Sequence, residues 1–168
     1  MSDPRQQFTG AKLMLFAGGD LIVLRRDRKP SIPWPGYLDF PGGERDGAET
    51  PEACALRETQ EELGLTLAEG DLHAVHLRDD AGKISWFFAA HLPGAIVDDV
   101  VFGDEGEEWL VMLPADFIAS DEAIPHFREI LRDYLEKKAG TRRIARAPAG
   151  RRHARGTRGR GGAAHTGV

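Results

Sequence analysis

The sequence predicts an α/β protein in which short strands are combined with two strong helices. Short apolar segments bounded by Gly, Pro and Asp recur through the first two thirds of the chain, as expected for strands. Two longer segments, Thr50–Gly64 and Pro125–Lys138, have helix caps or a helical apolar stripe. The 168 residues are 41% hydrophobic and 29% charged, the profile of one globular domain with a core.

The first predicted strands form a hairpin-like pair. Ala11–Phe16 and Leu21–Arg26 are mainly apolar and are joined by Gly18-Gly19-Asp20, a typical turn sequence. The segment Asp27–Gly36 contains three prolines and is predicted to be a loop. Tyr37–Phe40 is predicted to be a short strand leading into a Pro-Gly-Gly sequence.

The clearest predicted helix follows this turn. Thr50 is a good N-cap, Pro51 suits the first helical position, and Gly64 can adopt the left-handed conformation that ends a helix. Its core-facing side is predicted to carry Ala53, Leu56 and Leu63.

Three further strands and a second helix are predicted. Leu72–Arg78 and Lys83–Leu92 form a second strand pair, and Ile84–Ala90 is apolar enough for burial on both faces. Trp109–Leu113 is a later strand. Pro125–Lys138 is an amphipathic helix with an apolar stripe.

Composition excludes several classes of protein. No apolar run approaches the roughly 18 residues that a membrane span requires. The first residues lack the apolar core of a signal peptide. A single cysteine, Cys54, excludes an internal disulfide and is typical of a reducing compartment. We therefore expect a cytoplasmic protein.

The net charge of −5 conceals two different parts. Residues 1–136 hold 12 Lys and Arg against all 27 Asp and Glu, whereas residues 137–168 hold 10 Lys and Arg and no acid. We predict a domain over residues 1–138 and a basic, disordered tail over residues 139–168, because the tail has too few apolar groups to offset its ordering entropy. Contact with RNA or DNA and folding back onto the acidic domain stay open for this tail, and a mobile terminus is favoured.

Three glutamates of the first helix carry the most informative pattern. Glu58, Glu61 and Glu62 are spaced i, i+3 and i+4, so they share one helix face and repel one another. A positive partner is therefore expected, and a site of oxygen ligands favours Mg²⁺, with Mn²⁺ as the alternative. Arg57 can reach Glu61 at i+4, and the backbone at Gly42 can approach closely enough to offer a carbonyl.

The segment Gly43–Leu65 resembles the Nudix box, Gly-x5-Glu-x7-Arg-Glu-(aliphatic)-x-Glu-Glu-x-Gly-(aliphatic). Thr59 departs from the pattern where an aliphatic residue is usual, and a β-branched threonine can fill a core-side position. With the flanking strand order, the resemblance extends over residues 8–138. The matching positions are Gly43, Glu49, Arg57, Glu58, Glu61, Glu62, Gly64 and Leu65.

The resemblance implies a fold and a chemistry. The fold is a Nudix-type α/β/α sandwich with a mixed sheet, and the reaction is metal-dependent hydrolysis of a diphosphate linkage in a nucleoside diphosphate derivative. Glu58 or a carboxylate outside the box would position the water, with Glu49 and Arg57 in supporting roles. The metal ligands that it implies are the Gly42 carbonyl, Glu58, Glu61 and Glu62.

Three residues outside the box are further candidates. Glu105 lies in a Gly-x-Glu-Gly-like loop, where MutT-like members have a metal-linked or base-like carboxylate; a plain acidic surface loop is the alternative. Trp34 is a candidate for stacking on a base, and equally for a packed loop aromatic. Asp121 is a conjectural base-binding residue.

A MutT-like nucleoside triphosphate pyrophosphohydrolase is the leading prediction, partly by elimination, because the Tyr, Pro and Ser-Gln-Pro-Trp signatures of other Nudix subclasses are absent. One feature opposes it. The asparagine that contacts oxidised guanine in MutT would fall near Ala123, and this chain contains no asparagine, so Asp121 or Glu122 would have to replace it. The alternatives are a nucleotide sugar or a dinucleotide as substrate, a non-catalytic binding or regulatory module, and a nucleic-acid-binding protein that acts through its tail.

Overall fold

The computed structural model describes residues 2–145, with side chains to residue 142. The strands are β1 (Phe8–Ala17), β2 (Asp20–Arg25), β3 (Leu38–Asp39), β4 (Gly42–Glu44), β5 (His73–Asp80), β6 (Lys83–Leu92) and β7 (Glu108–Met112). The α-helices are α1 (Pro4–Gln7), α2 (Pro51–Leu63), α3 (Pro114–Ala119) and α4 (Pro125–Ala145). Single 3-10 segments cover Glu69–Asp71 and Gly94–Asp99.

The seven strands form one mixed sheet. Its central path runs β3-β2-β1-β6-β5, with β4 paired to β1 and β7 paired to β2. The pairing of β1 with β6 is parallel and the other pairings are antiparallel. The α/β class and the mixed sheet predicted from the sequence are confirmed.

Alternate residues of β1 contribute to two separate cores, because successive side chains of a strand point to opposite faces. Leu13 and Leu15 pack with Cys54 and Leu63 of α2 on one face. Met14 and Phe16 pack on the other face, in the cluster that contains Phe117 of α3 and Phe127, Ile130 and Leu131 of α4. The sheet is therefore enclosed by helices on both sides, which is the predicted α/β/α sandwich.

Helix α2 begins and ends as predicted, but its buried side is different. The Thr50 hydroxyl accepts a hydrogen bond from the Ala53 amide, and Gly64 caps the helix at φ 65°. The predicted core face of Ala53, Leu56 and Leu63 is correct only for Leu63. The small side chains, rather than Leu56, face the sheet, because they let the helix lie close to β1 and β4. The buried set is Pro51, Cys54, Ala55, Thr59 and Leu63.

Helix α4 is longer than predicted. It continues to Ala145, past the expected end at Lys138, so the first residues assigned to the tail are helical. Ala139, Arg142 and Arg143 favour a helix, and the helix continues through Gly140 and Thr141, which do not. The rest of the predicted tail, residues 146–168, lies outside the described residues. Within the part that is described, no helix is long and apolar enough to span a bilayer.

Candidate active site

Five carboxylates surround one cavity of about 410 Å³ at the C-terminal half of α2. Glu58, Glu61 and Glu62 come from the helix, as their spacing predicted, and Asp104 and Glu105 come from the loop before β7. The sequence thus brings together side chains that are more than 40 positions apart along the chain. Oxygen is the only donor type in this set, which suits a hard divalent cation.

Arg57 orients three of the box glutamates. Its guanidinium nitrogens lie 2.8 Å from Glu49 Oε1, 3.0 Å from Glu58 Oε1 and 3.2 Å from Glu61 Oε2. The Arg57 hydrogen bond holds the pKa of Glu49 at about 2, well below its ordinary value. Arg57 also donates to the Glu44 carbonyl at 2.9 Å, so it fastens α2 to β4.

Glu62 is the most perturbed acid of the site. Burial raises its pKa to about 8, although the nearby Lys12 ammonium and the Gly42 amide oppose the shift. The Gly42 amide donates to Glu62 Oε1 at 2.7 Å. Burial also raises the pKa of Glu58, against the pull of Arg57.

The two glycines before the helix are required by close contacts. A Cβ at Gly43 would lie 2.7 Å from Glu58 Cδ, and one at Gly42, where φ is 132°, would lie 2.1 Å from the Ala11 carbonyl oxygen. The predicted close approach of this backbone is therefore present. The Gly42 carbonyl accepts a hydrogen bond of 3.1 Å from Lys12 Nζ, so it faces a cation.

A second cavity of about 440 Å³ adjoins the first, since Glu58, Glu62 and Glu105 line both. Residues of β1 to β4 and of the loop after β2 also line it, and three of them are acids, Asp27, Asp39 and Glu44. The basic side chains that line it are Lys12, Arg25, Arg26 and Lys29.

An ion cluster that the sequence patterns did not indicate also lines this cavity. Asp39 is only 3% exposed, and its Oδ2 accepts from Lys12 Nζ at 2.9 Å and from Arg26 Nη1 at 2.8 Å. Lys12 also donates to the Phe40 carbonyl at 3.3 Å. One signal was available, because Lys12 is the only charged residue in the otherwise apolar segment Ala11–Phe16.

The loop that carries Glu105 is fixed at both ends. The Gly103 amide donates to the Glu62 carbonyl at 2.9 Å, and the Glu107 amide donates to the Arg25 carbonyl at 2.9 Å. Between them the Gly106 amide donates to Asp27 Oδ2 at 3.4 Å. These bonds hold Glu105 at the junction of the two cavities, with the box glutamates.

Trp34 and Asp121 line neither of these cavities. Trp34 is 39% exposed at φ 51° and packs edge-on against Tyr37, with ring centroids 5.1 Å apart. Asp121 is exposed in the segment between α3 and α4. The structure therefore does not group these two predicted substrate-binding residues with the glutamates.

The carboxylates of the described residues do not by themselves form a complete set of metal ligands. In residues 2–145 no group of three His, Cys, Asp or Glu side chains already has the geometry of a metal site. Arg57 pairs with Glu61 at 3.2 Å, the i+4 contact expected from the sequence, and the Gly42 amide binds Glu62. Mg²⁺ commonly takes only one or two carboxylates and completes its shell with water and substrate phosphates, so this donor set still fits it.

Residues 8–134 match the family profile described as the NUDIX domain. This match covers most of the chain. The chain belongs to the Nudix hydrolase family. Members of the Nudix family generally use divalent metal ions. The departure at Thr59 is explained by packing, because the side chain is fully buried and its hydroxyl donates to the Ala55 carbonyl at 2.7 Å.

Curated relatives match part of this Nudix chain. The 8-oxo-dGTP diphosphatase of Haemophilus influenzae is 37% identical over 71 residues, which is 42% of this chain and 51% of the relative. The CTP pyrophosphohydrolase of Escherichia coli is 31% identical over 71 residues, or 42% of this chain and 53% of the relative. The chain therefore matches about half the length of these two relatives.

Solved structures agree in fold. The MutT protein of Methanosarcina mazei Go1 superposes with a TM-score of 0.66 at 21% identity, covering 82% of this chain and 99% of that one. A MutT/nudix family protein of Listeria innocua gives a TM-score of 0.65 at 20% identity, covering 80% and 96%. At these identities the similarity establishes the Nudix fold alone.

Proposed function

We propose that this Nudix protein is a Mg²⁺-dependent hydrolase of nucleotide diphosphate linkages, and that its substrate is a nucleoside triphosphate cleaved to a monophosphate and pyrophosphate. One observation carries this proposal: Glu58, Glu61, Glu62 and Glu105 line a cavity that adjoins a second cavity, which four basic side chains also line. Acidic groups suit the cation, and basic groups suit the phosphates.

The Mg²⁺ ligands would come from among Glu58, Glu61, Glu62, Glu105 and the Gly42 carbonyl, with water and substrate phosphates completing the shell. A bound divalent ion would neutralise charge on the phosphate oxygens and lower the pKa of a coordinated water. Mn²⁺ has similar ligand preferences and is expected to substitute for it.

The protein's own groups supply orientation and a proton acceptor. Arg57 fixes the Glu58 carboxylate at 3.0 Å, and Glu49 in turn fixes Arg57 with two hydrogen bonds of 2.8 and 3.0 Å. Because burial raises the pKa of Glu58, its carboxylate is a better proton acceptor than an ordinary glutamate. Glu58 is therefore our candidate to position the attacking water, and Glu105, from the loop before β7, is the alternative.

The triphosphate assignment is supported by relatives named 8-oxo-dGTP diphosphatase and CTP pyrophosphohydrolase. We assign no nucleobase to the substrate, because the chain has no asparagine and Asp121 lines neither cavity. A panel of nucleoside triphosphates, nucleotide sugars and dinucleotides, assayed with Mg²⁺, tests the substrate class. We expect pyrophosphate release from at least one triphosphate, and release only from another class would overturn the assignment.

Two variants test the role of the glutamates. Glu61→Gln and Glu62→Gln should each lower kcat at least about 100-fold while the circular dichroism spectrum stays unchanged, since each removes one charged oxygen ligand. Glu129→Gln is the matched control, because Glu129 is an exposed glutamate on α4. Full activity in both cavity variants would refute the assignment of these residues.

A further inference from the structure

The larger cavity is lined by both acidic and basic side chains. Glu58, Glu62 and Glu105 line it together with four basic residues of β1, β2 and the loop after β2. A substrate with several phosphates has more negative charge than a cation at the glutamates alone would neutralise. The remaining charge calls for a basic side chain that is free to bind it.

Three of the four basic residues are already held by protein acceptors. Lys12 is surrounded by Asp39 and by the Phe40 and Gly42 carbonyls, at 2.9, 3.3 and 3.1 Å. These three acceptors use the three protons of the ammonium. Lys12 therefore organises the turn before α2 and has no proton left for a substrate.

Arg25 and Arg26 are held in the same way. Arg25 donates to Glu108 at 2.7 Å and to the Gly36 carbonyl at 2.9 Å. Arg26 donates to Asp39 at 2.8 Å and to the Pro33 carbonyl at 2.8 Å. Both guanidinium groups shape the loop after β2. Moving Arg26 toward a ligand would leave the buried Asp39 with one partner fewer, and moving Arg25 would break its pair with Glu108.

Lys29 is the exception. Its side chain is 69% exposed, and its ammonium lies 3.8 Å from Asp27 Oδ2, the outer limit of an ion pair. Its backbone is fixed, because its carbonyl accepts from the Ile32 amide at 3.2 Å and Pro30 follows it. A fixed backbone with a mobile charged end can reach a ligand without rearranging the loop.

We propose that Lys29 binds the part of the substrate's phosphate chain that extends beyond the box glutamates, and so determines the preference for substrates with a longer phosphate chain. This inference rests on the proposed function of the cavity. It assigns the ligand by chemistry, as a terminal phosphate or pyrophosphate group. Lys29 is a binding residue in this proposal and takes no part in bond cleavage.

Arg28 provides a matched control. It belongs to the same loop, has the same charge and is 68% exposed, but it does not line the cavity and instead faces Glu107 at 3.3 Å. A general electrostatic effect of the loop would be lost equally on removing either charge. Only a direct contact with the phosphate would make the loss of Lys29 weaken binding more than the loss of Arg28.

Calorimetric titration of inorganic pyrophosphate with Mg²⁺ into the intact protein tests the inference without requiring turnover. We expect Lys29→Met to weaken binding about fivefold, the size of an exposed charge contact, and Lys29→Arg to restore most of it. The pyrophosphate affinity of Arg28→Met should stay within about twofold of that of the wild type. The inference would be overturned by an equal loss of pyrophosphate affinity in both Met variants, by an unchanged affinity in Lys29→Met, or by a wild-type protein that does not bind pyrophosphate.

Steady-state kinetics separates this inference from the proposed function. If a nucleoside triphosphate is hydrolysed, Lys29→Met should raise KM about fivefold and leave kcat within about twofold. Hydrolysis with an unchanged KM would overturn the role of Lys29 and leave the proposed function standing. If no triphosphate is hydrolysed but pyrophosphate binding still depends on Lys29, the proposed function is overturned and the role of Lys29 stands.

Discussion

Replacing Glu62 with glutamine should stabilise the metal-free protein while abolishing activity. The Glu62 carboxyl is partly buried beside Glu58 and Asp39, and burial raises its pKa to about 8. Glutamine has the same shape, and its oxygen can keep the 2.7 Å hydrogen bond from the Gly42 amide. The substitution therefore removes an unfavourable charge and leaves the Gly42 amide paired.

The size of the effect follows from the pKa shift. A carboxyl that titrates at about 8 in the folded protein and at its ordinary value of 4.5 in the unfolded chain costs about 3 kcal/mol at pH 7 by full linkage. Partial burial reduces this, so we expect Glu62→Gln to gain about 1–3 kcal/mol, or about 3–9 °C in Tm.

The dependence on pH has a definite sign. Because the folded pKa of Glu62 is raised, its contribution to stability is fully present below pH 4.5 and is lost as pH rises through about 8. The stability difference between variant and wild type should therefore be small near pH 5 and largest above pH 8.

Urea unfolding in EDTA, followed by tryptophan fluorescence, measures this difference across the pH range. Glu61→Gln is the matched control, because Glu61 is 54% exposed and paired with Arg57, and removing that pair should cost less than about 0.5 kcal/mol. A Glu62→Gln variant that is no more stable than the wild type, or whose advantage shrinks as pH rises, would show that burial of this carboxyl is not costly.

Four other substitutions or treatments give simple outcomes. Gly43→Ala should lower kcat at least about tenfold, because the new Cβ would lie 2.7 Å from Glu58 Cδ and must displace that carboxylate. Glu49→Gln should cost about 1 kcal/mol at pH 7 in urea unfolding, and the loss should shrink as pH falls from 4.5 toward 2, where wild-type Glu49 is itself protonated. Thr59→Val should change unfolding free energy by about 1 kcal/mol or less, since it removes one hydrogen bond from Thr59 to Ala55 and adds a methyl group. Cys54 should resist iodoacetamide at pH 8 in the native protein and react after denaturation, because burial raises its pKa to about 12; rapid native alkylation would contradict this.

Much of the fold could be predicted from local patterns. Helix α2 was located by its Thr50 cap and its Gly64 stop, and strand β6 by its continuous apolar residues, because these signals lie within a few residues of each other. The buried face of helix α2 was harder to predict than its ends. Close packing on β1 selected small Cys54 and Ala55 rather than Leu56, and that choice depends on a distance between elements that no single segment contains.

The candidate site was predictable where its residues share one helix. Glu58, Glu61 and Glu62 were placed by spacing alone, and Glu105 by a short motif. The ion pair of Lys12 with Asp39 was not predicted. These two residues meet through the pairing of separate strands and appear in the sequence as isolated charges. The sequence also could not show that Lys12 donates to the Gly42 carbonyl.

Binding of a divalent cation by the α2 glutamates can be measured by titrating Mn²⁺ into EDTA-treated protein and following the free ion by electron paramagnetic resonance. We expect saturable binding by the wild type that weakens at least about tenfold in both Glu58→Gln and Glu61→Gln and is unchanged in Glu129→Gln. Wild-type protein that leaves all Mn²⁺ free, or equal affinity in the three variants, would contradict the assignment of these carboxylates as metal ligands.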